Sequence, residues 1–324
     1  MIKNVLLILL TGTVLCNCAT AQDTPDSLKN SKFYYFKKSG QLTNNPDSAD
    51  YTRIISPDTG NSKLYQVEEV YHNGKTKMKC KSLTADMQYK VQGPYITYYS
   101  NGNIEASATF DKGMLSGAQF VNFPNGKLYY SSSYDTAKKQ LLVNEVRDST
   151  GAVQAENGNG TWVRYYGGYK HLLDQGPIHN GLRDGEWKGR VNDTANYVCT
   201  YSNGVSVSGV SRTRSGKEFH FTKDEIQPEY PGGLNAFYKL LGSTVHYPKQ
   251  AKREGIQGKV FLSFVVEKNG SLSDMHVVRG IGYGCDEEAM RALKTSPPWS
   301  PGYQYGIPVR VQYNIPISFT LQGG

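Results

Sequence analysis

Apolar and polar positions alternate most regularly near the end of the chain. Between Gly258 and Glu267, Val260, Leu262, Phe264 and Val266 share one face of an extended segment while Phe261 and Val265 share the other, which predicts a strand covered on both sides. Asn269-Gly270 offers the positive-φ residues of a tight hairpin turn, and Leu272 to Val278 returns antiparallel. Gly284-Cys285-Asp286-Glu287-Glu288 opens a helix whose acidic first turn complements its free N–H groups, with Ala289, Ala292 and Leu293 as the buried stripe. Ser296-Pro297-Pro298 stops it, because neither proline can donate a backbone hydrogen bond. Trp299, Pro301 and Gly302 then turn the chain into a last strand, Pro308 to Leu321. Two short helices come first, Leu234 to Leu241 and Pro248 to Glu254, the second with proline at its first position and Gly255 as terminator. The order predicted over 228–322 is α-α-β-β-α-β, an α+β domain with an antiparallel sheet.

The last strand has the pattern of a sheet edge. Val309, Val311, Tyr313 and Ile315 alternate with Arg310, Gln312 and Asn314, one face buried and one wet. Pro316 suits an edge, where the missing N–H costs no ladder bond. An open edge invites a peptide, or a second copy of the domain.

A different period governs 33–215. Tyr71-x-Asn73-Gly74, Tyr98-Tyr-x-Asn101-Gly102, Phe123-x-Asn125-Gly126 and Tyr201-x-Asn203-Gly204 repeat an aromatic followed by a turn, with Asn101 and Asn125 24 residues apart. Gly93-x-Tyr95 recurs as Gly117-x-x-Phe120, and Gly160-Thr-Trp162 is answered by Gly185-Glu-Trp187. Each unit reads as strand, Asn-Gly type I′ turn, strand; one hairpin cannot bury its aromatic face alone, so neighbours must stack into an all-β array. Residues 216–227 read as a linker.

The first 21 residues have the form of a secretory signal: Lys3, an apolar run from Val5 to Leu15, and Ala19-Thr20-Ala21 before Gln22. The run is far short of the ~20 residues of a spanning helix, and the residues before Cys16 and Cys18 do not suit lipid attachment. Cleavage and export to the periplasm are expected, followed by a polar disordered segment, 22–32. The alternative is a retained membrane anchor.

Net charge is +8, or +7 without Lys3, but the basic residues are dispersed, with no zinc-finger spacing, basic helix or stacking motif, so nucleic acid is not the expected partner. Membrane contact is expected to be peripheral at most. Three cysteines remain after the signal, Cys80, Cys199 and Cys285; Cys80 and Cys199 could form a disulfide, or all three could be buried thiols. The histidines show no zinc-ligand spacing, and there is no Cys-x-x-Cys, Gly-x-Ser-x-Gly or phosphate loop. No enzyme activity, metal or cofactor is expected.

Taken as an ordered set, Tyr247-Pro248-x-x-Ala251, Gly255-Ile-Gln-Gly258-Lys-Val260, Gly270-Ser-Leu-Ser-Asp274, Asp286-x-x-Ala289, Trp299-x-Pro301-Gly302 and Pro308-Val-Arg310 resemble the C-terminal domain of the TonB family. The resemblance covers roughly the last third of the chain. It implies a periplasmic domain that takes an extended segment of an outer-membrane transporter as an added strand, with Tyr247 and Pro248 lining the partner groove; Val309, Arg310, Gln312, Tyr313 and Asn314 of the edge strand are the other expected contact residues. Tyr247-Pro248 could equally be a helix-entry device packing an aromatic on the sheet, and Trp299 reads as core. The hairpin units resemble MORN-type repeats of bacterial envelope proteins.

The chain departs from a TonB transducer by lacking an evident anchor and a long Pro-rich spacer. The leading reading is therefore a periplasmic protein binding extended segments of transporters or other envelope proteins. Two alternatives stand: a structural envelope adaptor whose repeats make protein or surface contact, with homodimerisation through the edge strand, and an anchored energy transducer with an uncleaved signal.

Overall fold

A computed structural model describes residues 30–60 and 63–321. The signal sequence and most of the segment expected to be disordered lie outside the described residues. The chain divides into two compact units, the first ending at Gly185 and the second starting at Glu186.

The first unit is a meander of antiparallel strands: β1 (Lys32–Phe36), β2 (Leu42–Thr43), β3 (Tyr51–Pro57), β4 (Tyr65–Tyr71), β5 (Thr76–Ser82), β6 (Val91–Tyr98), β7 (Ile104–Asp111), β8 (Met114–Asn122), β9 (Leu128–Asp135), β10 (Gln140–Arg147), β11 (Val153–Glu156), β12 (Asn159–Tyr166), β13 (His171–His179) and β14 (Leu182–Arg183). From β3 to β14 each strand pairs with the next, so the sheet grows by sequence-local hairpins.

The turns differ from the type I′ expectation. At Asn73-Gly74, Asn101-Gly102 and Asn125-Gly126 only the glycine has positive φ, 78°, 98° and 83°. Each glycine N–H donates to the carbonyl three residues back, Tyr71, Tyr99 or Phe123, and each asparagine Oδ1 accepts the N–H two residues on. These are type I turns closed by a glycine bulge, and the strand registers slip beside them. Both residues have positive φ at Lys112-Gly113, Asn157-Gly158, Asn180-Gly181 and Asn203-Gly204. Only the last of these was singled out from the sequence.

The turns also explain the repeat length. Asn101 Nδ2 donates to Pro124 O at 2.8 Å and Asn125 Nδ2 to Ser149 O at 2.9 Å, so each asparagine ties its turn to the next one along the rim. Tyr71 and Tyr99 hydroxyls donate to Tyr98 O and Asn122 O in the same sense. At Gly158 an added Cβ would lie 2.6 Å from Gly181 N, a backbone approach only glycine permits.

Two buried carboxylates are held between strands. Glu69 on β4 is 4% exposed and accepts from Arg53 on β3 and Lys77 on β5. Asp174 on β13, 1% exposed, accepts from Arg164 on β12. A carboxylate withdrawn from water is tolerated only when paired in this way. Ile55, Val67, Met78 and Cys80 form the nearby apolar core, and Phe123, Tyr129, Tyr165 and Tyr169 make a second, aromatic one.

The second unit begins with four more strands, β15 (Gly185–Asn192), β16 (Ala195–Ser202), β17 (Val205–Thr213) and β18 (Glu218–Phe221). It continues through β19 (Glu225–Ile226), α1 (Gly233–Thr244), α2 (Lys249–Arg253), β20 (Gly258–Val266), β21 (Leu272–Arg279), α3 (Cys285–Lys294), β22 (Gly302–Gln304), β23 (Ile307–Val309) and β24 (Val311–Phe319). The core lies between the helices and the sheet β21-β20-β24: Val260, Leu262, Phe264 and Val266 face Phe237, Cys285, Ala289, Ala292 and Leu293, all fully buried. Phe261 and Val265, on the other face, are half-buried. Burying each such aliphatic or aromatic side chain contributes roughly 1.5–3 kcal/mol.

Two sequence expectations change here. The last strand is not continuous: β22 and β23 form a hairpin whose Tyr305-Gly306 turn has both φ positive, +48° and +75°, and β19 pairs with β22 as its third strand. The Asn269-Gly270 turn is again the bulge-closed kind, with only Gly270 left-handed, and a Cβ there would collide with Trp299 O.

A candidate partner-binding edge

β24 pairs with β20 over nine consecutive residues, Val311 opposite Val266 through Phe319 opposite Gly258. The sheet order is β21-β20-β24, so among the described residues no strand occupies the other side of β24. Val311, Tyr313, Ile315, Ile317 and Phe319 turn inward, and Gln312, Asn314 and Ser318 are exposed. Pro316 sits opposite Phe261 and has no N–H to give. Its place in an uninterrupted register is therefore one whose backbone groups turn to the open side, a parity shared by Gln312, Asn314 and Ser318. The edge thus presents three donors and their carbonyls, with a gap at Pro316.

The residues singled out from the sequence divide into three groups. Gln312 and Asn314 stand on the edge, and the Gln312 amide donates to Ser263 Oγ at 2.8 Å. Arg310 lies between β23 and β24, where its guanidinium bonds Glu267 at 2.8 Å and Asp274 at 2.8 Å and holds the Glu267 carboxyl below its usual pKa. Val309 belongs to β23 and pairs with Gly302. Tyr313 turns into the core, stacked on Phe264 at 5.8 Å, its hydroxyl donating to Pro228 O. Trp299, 3% exposed, completes that cluster.

Tyr247 and Pro248 lie at the mouth of α2. The Tyr247 ring meets Phe319 edge-on at 5.7 Å and its hydroxyl donates to Ile256 O. Pro248 packs beside Gly284 at the start of α3. Nearby, the acidic residues of α3 tie loops together, where a simple complement to the helix dipole was expected. Asp286 accepts the N–H of Ile281 and Gly282, while Glu288 accepts from Arg291 and from the His246 N–H. The Arg291 hydrogen bond, with the His246 N–H behind it, pulls the Glu288 carboxyl down to about 2.

One feature had no sequence signal. A groove of about 410 Å³ runs between α1 and the C-terminal half of β24, lined by Tyr238, Leu241, Gly242 and Val245 on one side and Ile317 and Phe319 on the other. It exists because α1 continues to Thr244, past the expected end at Leu241. Ser243 and Thr244 hydroxyls both donate to Leu240 O, satisfying the last turn.

Cys80, Cys199 and Cys285 stand as buried thiols. Burial pushes the Cys80 thiol up to about 12. No described helix is long and apolar enough to cross a membrane.

The C-terminal module is a small α+β fold whose sheet ends at the edge strands β21 and β24, and the sequence comparisons place its relatives. Residues 243–321 match the family described as Gram-negative bacterial TonB protein C-terminal, so the C-terminal module is TonB-like. Protein TonB of Helicobacter pylori strain ATCC 700392 / 26695 is 28% identical over 113 residues, which is 33% of this chain and 38% of that protein. Protein TonB of strain J99 / ATCC 700824 of the same organism is likewise 28% identical over 113 residues, covering 39% of its length. The chain thus spans about two fifths of these curated relatives.

Proposed function

We propose that this chain is an exported envelope protein of the periplasm whose TonB-like module captures extended segments of outer-membrane transporters, or of other envelope proteins, by strand addition along β24. The observation that carries the reading is the open edge: three exposed residues, Gln312, Asn314 and Ser318, on a strand fully paired on its other side. An added strand gains main-chain hydrogen bonds there and alternate side-chain contacts. The role is binding without catalysis, linked to transport.

The test is photo-crosslinking from Gln312 in living cells, with identification of the captured segment. Capture of the N-terminal segment of an outer-membrane transporter supports the reading. Capture of a second copy, or of an envelope protein outside transport, favours the structural adaptor. That second reading draws on one observation: the module is clamped to β16–β18 through Tyr305, so in this chain it rides on hairpins of the array. The resemblance of those hairpins to MORN-type repeats fits an adaptor contacting protein or surface.

A further inference from the structure

The strand-addition reading leaves open what the added strand must look like, and the groove beside β24 speaks to that. None of the side chains lining it is charged. Tyr238 on α1 is 43% exposed and offers its aromatic surface to the groove. Gly242 stands in the same wall. A glycine inside a helix is destabilising relative to alanine. Here a Cβ would meet nothing within 4 Å, so no packing demand among the described residues accounts for it. Its effect is to lower the helix wall and widen the groove.

The groove adjoins the part of β24 from Pro316 to Thr320. A strand added to that edge sends alternate side chains to the helix side of the sheet, the side on which Ile317 and Phe319 are buried. Those side chains meet the groove. Because Pro316 offers no donor, this half of the edge has fewer hydrogen bonds to give, and apolar burial must supply more of the affinity.

Resting on the strand-addition reading, we infer that the groove between α1 and β24 selects the partner: an extended, uncharged segment that places a branched aliphatic or aromatic side chain against Gly242 and Tyr238. A carboxylate or ammonium in that position would be desolvated with no opposite charge among the lining residues.

The full chain tests this with two synthetic probes, acetyl-Ser-Leu-Thr-Leu-Thr-Leu-Ser-amide and the same peptide with its central leucine replaced by aspartate, titrated by calorimetry. The leucine peptide is expected to bind at least tenfold tighter. Gly242→Leu is expected to weaken it at least tenfold while raising the thermal midpoint, since leucine is the better helix former. Opposite changes in binding and stability separate a filled groove from a damaged fold. Equal binding of the two peptides, no saturable binding of either, or an unchanged affinity in Gly242→Leu overturns the inference. Ser318→Pro, which removes an edge donor, reports on strand addition itself. Binding lost in Gly242→Leu but kept in Ser318→Pro would uphold the groove and sink strand addition. Loss in Ser318→Pro alone would do the reverse. Self-association of the full chain that Gly242→Leu abolishes would assign the groove to a second copy and overturn the proposal.

Discussion

The ring of Tyr305 lies parallel to that of Tyr197, 10° apart in plane and 4.1 Å apart in centroid. Tyr305 occupies the left-handed turn between β22 and β23, and Tyr197 is on β16 among the hairpin strands. The contact is reinforced on the backbone, where Ser211 Oγ donates to Tyr305 O at 2.6 Å and Tyr305 N–H donates to Asp224 O at 2.7 Å. The TonB-like module and β16–β18 therefore share one buried seam. Tyr305→Asn keeps a residue that tolerates positive φ and removes the buried ring. We expect a loss of about 3 kcal/mol in denaturant unfolding, the usual scale for deleting a buried aromatic.

The two kinds of glycine turn should respond differently to a single methyl group. Gly126→Ala meets only the Asn103 side chain, at 3.6 Å, and costs the left-handed conformation alone, about 1–2 kcal/mol. Gly158→Ala would press a Cβ against Gly181 N at 2.6 Å and force two turns apart, for about 3 kcal/mol or more. Unfolding of both variants by guanidinium, compared at equal slope, checks the ranking. Equal costs would mean that the turns do not stack as described.

Glu288 carries a pH prediction. Its carboxyl is depressed in the folded state to about 2 from an ordinary 4.5. A depressed carboxyl stabilises the fold above its unfolded pKa, and that contribution disappears as pH falls through the folded value. Glu288→Gln should therefore lower stability at pH 7, and the gap from the parent should narrow between pH 4.5 and about 2. Denaturant midpoints across that range are the measurement. A gap constant with pH would show that the carboxylate is not the source.

Glu69 should be the costliest single charge in the first unit. Its side chain is 5% exposed and holds both Arg53 and Lys77. Glu69→Gln leaves two cations facing a neutral amide, and breaking a buried pair in this way costs about 3–5 kcal/mol. The exposed Glu186, paired with Lys188 on the surface, serves as a control expected to lose under about 1 kcal/mol on the same substitution.

Much of the TonB-like module is legible in its residues because the local signals agree with the packing. The alternation from Val260 to Val266 survives because one face of β20 is fully buried while Phe261 and Val265 on the other are half-buried, and the stripe Ala289, Ala292, Leu293 survives because α3 has one buried side. The hairpin array is legible for a similar reason: each aromatic-x-Asn-Gly unit closes on itself before it meets its neighbour. Turn type is not legible. Asn-Gly satisfies both a type I′ turn and a bulge-closed type I turn, since glycine takes the positive φ in each; the register of the flanking strands decides whether the asparagine must take it too.

Other features depend on residues far apart in the chain. Nothing local marks Tyr305-Gly306 as a turn, because a tyrosine at positive φ is unfavourable by itself; the stack on Tyr197, more than a hundred positions earlier, makes it the lower-energy choice. Val309, Arg310 and Tyr313 read as parts of one strand but go to a second hairpin, an ion pair and the core. The first helix reads as ending at Leu241 but runs on to Thr244, since the hydroxyls of Ser243 and Thr244 satisfy the helix end. Local propensity chooses among conformations separated by about 1 kcal/mol, and tertiary burial outweighs differences of that size. The strands, helices and hairpins were therefore decided largely by neighbours in sequence, and the open edge, its groove and the Tyr305 seam by contacts that exist only once the chain has folded.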